Sequence, residues 1–320
     1  MSQLVQGLDM KTFDTLATRN ALGFDRLVPA LAQMFVGGCE VPARHVHSLQ
    51  HEGSSGVTVL IMPAWQAGRY FGVKTVMIAP HNSQQGLPGL HSTYLLYDAR
   101  TGVPLAQLDG NEITSRRTAA ASALAASYLA RRTSRHLLIV GAGRVASLLA
   151  EAYRSVLPIE KVSVWSRKLP AAAQLAAALR ESGFEAALSA DLAKAVAGAD
   201  IVSCATLSTE PLIRGEWLRD GTHLDLIGSF TPAMREADDD CFRGASIYVD
   251  TEEAWHKSGE LLGPMSRGVF AASDVRGTLA QLCNGTRAVR TSVAERTLFK
   301  SVGTALEDLA AAVLVYESAA

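Results

Sequence analysis

One short segment does most to limit what this chain can fold into. The apolar run His136-Leu-Leu-Ile-Val140 passes directly into Gly141-Ala142-Gly143-Arg144-Val145-Ala146 and then into a helix-compatible stretch ending at Tyr153. A buried-type strand, two closely spaced glycines and an amphipathic helix open a βαβ unit. In such a unit the first glycine permits the tight turn, the second lets a phosphate approach the backbone, and the small residue at the third position allows close packing of helix on strand. The free N–H groups and the positive end of the helix then face the anion. This predicts a dinucleotide site at Gly141, Ala142, Gly143, Arg144 and Val145. The bland alternative is a glycine turn that holds no ligand.

The neighbouring sequence supports the βαβ reading. Strand patterns at 136–140, 161–165, 199–205, 223–227 and 246–249 alternate with helical patterns, notably 146–155 and 171–181. Such alternation predicts a Rossmann-type, doubly wound parallel sheet in an α/β protein. The second strand runs out at Trp165-Ser166-Arg167-Lys168, and no acid occurs between Glu160 and Glu181. A site for NAD normally places an acid there to hold the ribose 2′-hydroxyl, whereas a hydroxyl and two cations suit a 2′-phosphate. NADP(H) is therefore expected ahead of NAD(H), with a solvated basic turn as the competing explanation. Thr206, just past the third of these strands, joins the expected cofactor residues.

The first third of the chain has a different character. Residues 57–63, 70–78 and 93–97 are β-branched apolar runs separated by turn signals such as Asp98-Ala-Arg-Thr-Gly102, and a helix is expected over 24–35. This part reads as a mainly antiparallel α+β domain. An alanine-rich helix should follow from Thr114, its expected N-cap, to Ala130. A last helix is expected over 303–317. Lys74 sits in the strand pattern 70–78 on the same face as Gly72 and Val76, a face that reads as interior. An ammonium there needs a partner. Arg117 lies near the start of the alanine-rich helix, and Arg44 precedes the strands. Each cation taken singly is equally well a snorkelling or ion-paired residue; as a set they suit a small carboxylate.

Charge and composition exclude several classes. The 320 residues carry 30 basic and 31 acidic groups, so no nucleic-acid footprint or polybasic membrane surface is present. No apolar run reaches the roughly 20 residues that cross a bilayer, and Met1 to Leu16 lacks the apolar core of a signal peptide. A cytoplasmic protein is the resulting expectation. The four cysteines, Cys39, Cys204, Cys241 and Cys283, have no paired spacing. His45, His47 and His51 lack a companion acid or thiol at ligand spacing, so no metal is expected.

The ordered motifs Pro42-Ala-Arg44, Gly72-Val-Lys74, Asp109-Gly-Asn-Glu-Ile-Thr-Ser-Arg-Arg-Thr-Ala-Ala121, Gly141-Ala-Gly143, Gly228-Ser-Phe-Thr-Pro232, Phe299-Lys-Ser-Val-Gly303 and Glu307-Asp308 resemble the ornithine cyclodeaminase/mu-crystallin family over nearly the whole chain. The resemblance implies a homodimer in which residues 1–115 and 294–320 form the substrate and dimerisation domain and residues 116–293 the NAD(P) domain. It implies that Arg44, Lys74 and Arg117 hold a substrate carboxylate, with Lys74 the candidate catalytic residue. Arg117 and Thr118 would lie near the cofactor phosphates, Ser166-Arg167 at the 2′-phosphate, and Ser301 to Gly303 beside the nicotinamide. Two positions depart from the family pattern. Val145 replaces a frequent Gln, and Phe230 stands where ornithine cyclodeaminases and related alanine dehydrogenases place a catalytic Asp. Phenylalanine cannot move a proton. The Gly-Ser-Phe-Thr-Pro form resembles the ketimine reductase branch, which reduces the cyclic imino acids 1-pyrroline-2-carboxylate and 1-piperideine-2-carboxylate, and Phe230 would wall the substrate. Ornithine cyclodeamination, an alanine dehydrogenase-like reaction and a non-catalytic NADPH-binding role are the rival readings.

Overall fold

The computed structural model describes residues 10–50, 56–287 and 289–319. The chain divides into two compact units, residues 1–117 with 304–320 and residues 118–303. The first unit is built on a six-stranded sheet of order β1-β6-β5-β4-β3-β2. Its strands are β1 (Lys11–Phe13), β2 (His45–Leu49), β3 (Val57–Gln66), β4 (Tyr70–Ile78), β5 (Leu90–Asp98) and β6 (Pro104–Asp109). The pairs from β2 to β6 are antiparallel, and β1 adds in parallel to β6. Helices α1 (Thr15–Ala21) and α2 (Phe24–Gly37) precede the long strands, and the C-terminal helix, Ala305–Glu317, packs on the face of β3, β4 and β5 and against α2.

Strand alternation decides which side of this sheet is covered. On one face Met62, Ala64, Gly72, Lys74, Val76, Tyr94, Leu96, Ala106 and Leu108 are buried. The other face, carrying Ile61, Trp65, Phe71, Val73, Leu95 and Tyr97, is half-buried. The covered face is tight. A Cβ at position 72 would lie 2.0 Å from the Tyr94 hydroxyl, so glycine there is required by the ring that crosses it.

Helix α3 (Gly110–Leu129) starts four residues before the expected cap. Asp109 is the capping group: its Oδ1 accepts from the N–H of Asn111 at 2.8 Å and of Glu112 at 3.0 Å. Thr114 is thus inside the first turns, and its hydroxyl donates back to the Gly110 carbonyl at 2.7 Å. The expectation failed because a Ser/Thr side chain bonds as readily to the carbonyl one turn back as to a free N–H.

The second unit holds an eight-stranded, all-parallel sheet of order β13-β12-β14-β11-β10-β7-β8-β9. Its strands are β7 (His136–Val140), β8 (Lys161–Trp165), β9 (Glu185–Leu188), β10 (Ile201–Cys204), β11 (His223–Leu226), β12 (Ser246–Val249), β13 (Val275–Thr278) and β14 (Thr297–Lys300). Helices α4 (Ala146–Arg154), α5 (Leu169–Glu181) and α6 (Leu192–Gly198) alternate with the first of them. The chain winds outward from β7 through β8 to β9, then returns to place β10 on the other side of β7. The doubly wound α/β expectation and the mainly antiparallel sheet are both borne out. The sequence reading stopped the parallel unit at residue 293; in the structure β14 extends it, inserted between β11 and β12. Four residues ending in a lysine give too short a period to stand out, yet all four are buried.

Among the described residues no helix is long and apolar enough to cross a membrane, and no group of three His, Cys, Asp or Glu is placed to hold a metal ion. His45 and His47 lie exposed on β2 with ring centroids 6.3 Å apart; His51 and residues 1–9 of the N-terminal stretch fall outside the described residues. The four cysteines are free thiols.

Candidate functional site

In the parallel sheet, register brings Val140, Trp165, Cys204, Leu226, Val249 and Lys300 into one row. The residues one step beyond, at the carboxyl edge, are therefore Gly141, Ser166, Ala205, Ile227, Asp250 and Ser301. Strand order reverses between β7 and β10, the place where open α/β sheets bind ligands. Gly141 sits at that reversal with φ +123°, and a Cβ on it would meet the Ala205 carbonyl oxygen at 2.6 Å and Thr206 Cγ2 at 3.5 Å. Both backbone conformation and the close approach of β10 demand glycine. Gly143 is different. It has no positive φ, and a Cβ there would meet nothing within 4 Å. The protein itself does not require glycine at 143, which fits a position kept bare for a bound group.

The opening of α4 fits an anion as well. No side chain caps it; the Ser147 and Leu148 N–H groups are taken by the Gly143 and Val145 carbonyls at 3.0 Å, which leaves the backbone of the glycine turn to meet a ligand. Ala142 and Val145 are half-buried beside it, and Arg144 is exposed. At the end of β8, Arg167 and Lys168 are exposed, and Ser166 Oγ accepts from the Lys168 N–H at 3.3 Å. The donor set of this edge, bare backbone and two exposed cations, suits a dinucleotide.

Two buried carboxylates set the remaining loops. Glu236 Oε1 accepts from the Thr206 N–H at 2.7 Å and its hydroxyl at 2.8 Å, and Oε2 accepts from the Gly228 N–H at 2.7 Å. Burial pushes the Glu236 carboxyl up to about 8, with Lys300 working against that rise and Glu260 adding to it. Asp250 Oδ2 accepts from the N–H groups of Val302 at 2.7 Å and Gly303 at 2.6 Å, pinning the loop that holds Ser301. Lys300 is fully buried and donates to the Leu226 carbonyl at 2.8 Å. Beyond Gly228 the turn is closed by a hydrogen bond from the Phe230 N–H to the Gly228 carbonyl at 3.0 Å. The Phe230 side chain is 47% exposed, a large apolar surface on a turn.

The first unit brings two of the three expected carboxylate-binding cations together. Lys74 Nζ lies 2.7 Å from Asp308 Oδ2, and Arg117 Nε lies 2.9 Å from Asp308 Oδ1. Arg117 Nη1 reaches Glu307 Oε2 at 2.6 Å, and Lys74 Nζ donates to the Thr114 hydroxyl at 3.1 Å. Lys74 is 2% exposed and Asp308 is fully buried. Burial pulls the Lys74 ammonium down to about 8; Asp308 opposes this and the Arg117 charge reinforces it. Burial also disfavours the Arg117 charge, but Asp308 and Glu307 outweigh it and hold the guanidinium above its ordinary range. Arg44 lies half-buried just before β2. Arg117 and Thr118 are adjacent residues of α3, at the division between the units.

Asp308, Glu236 and Asp250 were not singled out from sequence as site residues. For Asp308 a signal exists, an acid pair opening the otherwise apolar helix Ala305–Glu317. For Glu236 none does, because its partners lie 30 and 8 residues away on other strand ends.

Residues 17–320 match the Ornithine cyclodeaminase/mu-crystallin family. The Delta(1)-pyrroline-2-carboxylate reductase of Paracoccus denitrificans is 44% identical over 256 residues, covering 79% of this chain and 80% of that protein. Among solved structures, the Thermococcus litoralis Delta(1)-pyrroline-2-carboxylate reductase in complex with NADH and L-proline superposes with a TM-score of 0.90 at 32% identity, covering 97% of both chains. An archaeal alanine dehydrogenase dimer with bound NAD gives a TM-score of 0.88 at 31% identity over 97% of this chain and 96% of that one.

Asp308→Asn keeps the shape of the side chain and removes the charge shared by Lys74 and Arg117. Losing one member of a buried ion-pair set costs about 3–5 kcal/mol, so urea unfolding should show a drop of that order. In a folded sample, Lys74 followed by its 13Cε shift should titrate near pH 8 in the intact protein and at lower pH in the variant, because Asp308 is the main group holding its proton on. An unchanged titration would contradict the assigned pairing.

Proposed function

The chain belongs to the ornithine cyclodeaminase/mu-crystallin family, and from that premise we propose that it is an NAD(P)H-dependent oxidoreductase that reduces the C=N bond of cyclic ketimines. Its substrates would be 1-pyrroline-2-carboxylate, giving L-proline, and 1-piperideine-2-carboxylate, giving L-pipecolate. The observation that carries this reading is Phe230. A deaminating member of the family needs an acid at that turn to shuttle a proton, and this chain presents a half-exposed phenyl ring. The reductase names of the Paracoccus and Thermococcus relatives agree with it.

NAD(P)H, when bound, supplies the hydride. The chain's own residues bind and orient the substrate. Arg44, Lys74 and Arg117 take the substrate carboxylate, the arginine forks fixing its plane. A protonated ring imine is already electrophilic, so little acid–base machinery is needed beyond holding it in place. Lys74, brought down to about 8, also has a proton to give near neutral pH. Phe230 walls off the ring carbons and keeps water away. On the cofactor side, Gly141, Ala142, Gly143, Arg144 and Val145 offer backbone to the pyrophosphate. Arg117 and Thr118 would meet the phosphates, Ser301 and Gly303 the nicotinamide, and Thr206 would add to the cofactor contacts. Ser166, Arg167 and Lys168 select the 2′-phosphate, making NADPH the preferred cofactor.

A homodimer accompanies this function. The half-buried sheet face with Ile61, Trp65, Phe71, Val73, Leu95 and Tyr97 is a broad apolar surface of the kind that pairs with a second copy. Among the relatives, the archaeal alanine dehydrogenase is a dimer.

The decisive assay follows NADPH absorbance with each cyclic imine and, in parallel, ammonia release from ornithine. NADPH oxidation with one or both imines is expected, without ammonia. Ammonia from ornithine and no NADPH oxidation would sink the reductase assignment. For the cofactor, Arg167→Ala should weaken NADPH by about tenfold or more, the worth of one charge-assisted contact, and leave NADH nearly unchanged. Equal effects on the two cofactors would refute the 2′-phosphate role.

A further inference from the structure

One carboxylate joins two loops that the proposed function assigns to different tasks. Thr206 follows β10 and abuts the glycine turn, its Cγ2 lying 3.5 Å from where a Cβ of Gly141 would be. Gly228 follows β11 and opens the turn that carries Phe230. Glu236 accepts two hydrogen bonds from Thr206 through one oxygen and one from Gly228 through the other, at 2.7 to 2.8 Å. The two loops touch backbone to backbone: a Cβ on Gly228 would fall 1.9 Å from the Thr206 carbonyl oxygen. Behind Glu236, its own N–H donates to Glu260 Oε2 at 2.6 Å, and the Ala237 N–H to Glu260 Oε1 at 3.0 Å. The Glu236 side chain is fully buried and cannot touch solvent.

We infer that Glu236 is a positioning residue that locks the cofactor-side loop at Thr206 to the substrate-side turn at Gly228–Phe230, so that the seating of one is transmitted to the other. The inference rests on the reductase reading for the meaning of the two sides. Its physical basis is the number and type of donors. The Thr206 and Gly228 N–H groups point at different oxygens of one carboxyl group, which accepts from both with or without its proton, and the Thr206 hydroxyl completes the set. An amide in its place must turn its NH2 towards either Thr206 or Gly228, donor against donor. A buried N–H left in that state is costly, so one loop must move.

The test uses the full-length protein and three readouts: NADPH affinity by nicotinamide fluorescence without substrate, KM for the cyclic imine, and thermal melting. Glu236→Gln should weaken NADPH binding and raise the imine KM together, each by at least about tenfold, a factor set by the loss of a hydrogen bond to a charged group. Glu236→Asp, which keeps the carboxylate, should recover part of both. A Glu236→Gln protein that melts earlier but keeps both constants within about twofold would overturn the inference, as would a change in only one of them. Should Glu236→Gln fail to fold, Thr206→Val removes the hydroxyl bond and keeps the backbone one. It must then raise the imine KM as well as weaken NADPH, and an imine KM left within about twofold overturns the proposal. An inactive wild-type protein would sink the reductase reading instead, and NADPH fluorescence still reads the coupling: unchanged affinity in Glu236→Gln overturns it.

Discussion

The carboxylate of Asp308 is the contact on which the buried cations of the first unit depend. A lysine in the middle of β4 faces inward, beneath a helix, where an unpaired ammonium would be untenable. The C-terminal helix answers that constraint by laying an acid pair from its first turn over the sheet. One oxygen of Asp308 meets Lys74 and the other meets Arg117, while Glu307 takes the remaining reach of the guanidinium. Two cations held beside two carboxylates form a site of no net charge. The proposed substrate, with a carboxylate and a protonated imine, is itself neutral overall and would enter such a site without leaving an uncompensated charge behind.

The parallel unit uses the same device for a different purpose. Its buried acids do not hold side-chain cations at the edge; they hold backbone. Glu236 fixes the ends of β10 and β11, and Asp250 fixes the loop after β14. Lys300, donating to the Leu226 carbonyl at the end of β11, favours the charged form of both acids. A cofactor edge made of loops needs such rigid backing, because a displacement of about 1 Å at a reacting centre is enough to cost two orders of magnitude in rate.

What the sequence disclosed was local. The glycine turn at 141–143 declared itself because strand, turn and helix are consecutive, and the inward side of Lys74 followed from counting by twos along β4. The missing acid after Trp165 was readable for the same reason. What stayed hidden was set by partners distant along the chain. Asp308 lies 234 positions after Lys74 in the chain, and nothing near either residue announces the other. Strand β14 is four residues long, and its place is set by pairing with β11 on one side and β12 on the other, both distant in sequence. Thr114 was misread as a cap because a threonine at a helix start has two equally good backbone partners, and Asp109 had already claimed the free N–H groups. Phe230 was legible only against a family pattern, since an isolated phenylalanine in a turn says nothing about a missing acid.

The account stands or falls on whether Lys74 and Arg117 bind the substrate through its carboxylate. The direct measurement compares kcat/KM for 1-pyrroline-2-carboxylate and for its uncharged carboxamide, in the intact protein and in Lys74→Met. The intact enzyme should prefer the carboxylate by about a hundredfold, the value of a buried charge-assisted contact, and Lys74→Met should erase most of that preference by slowing the carboxylate far more than the carboxamide. Equal losses on both substrates would mean that Lys74 does not act through the substrate carboxylate, and would contradict the account.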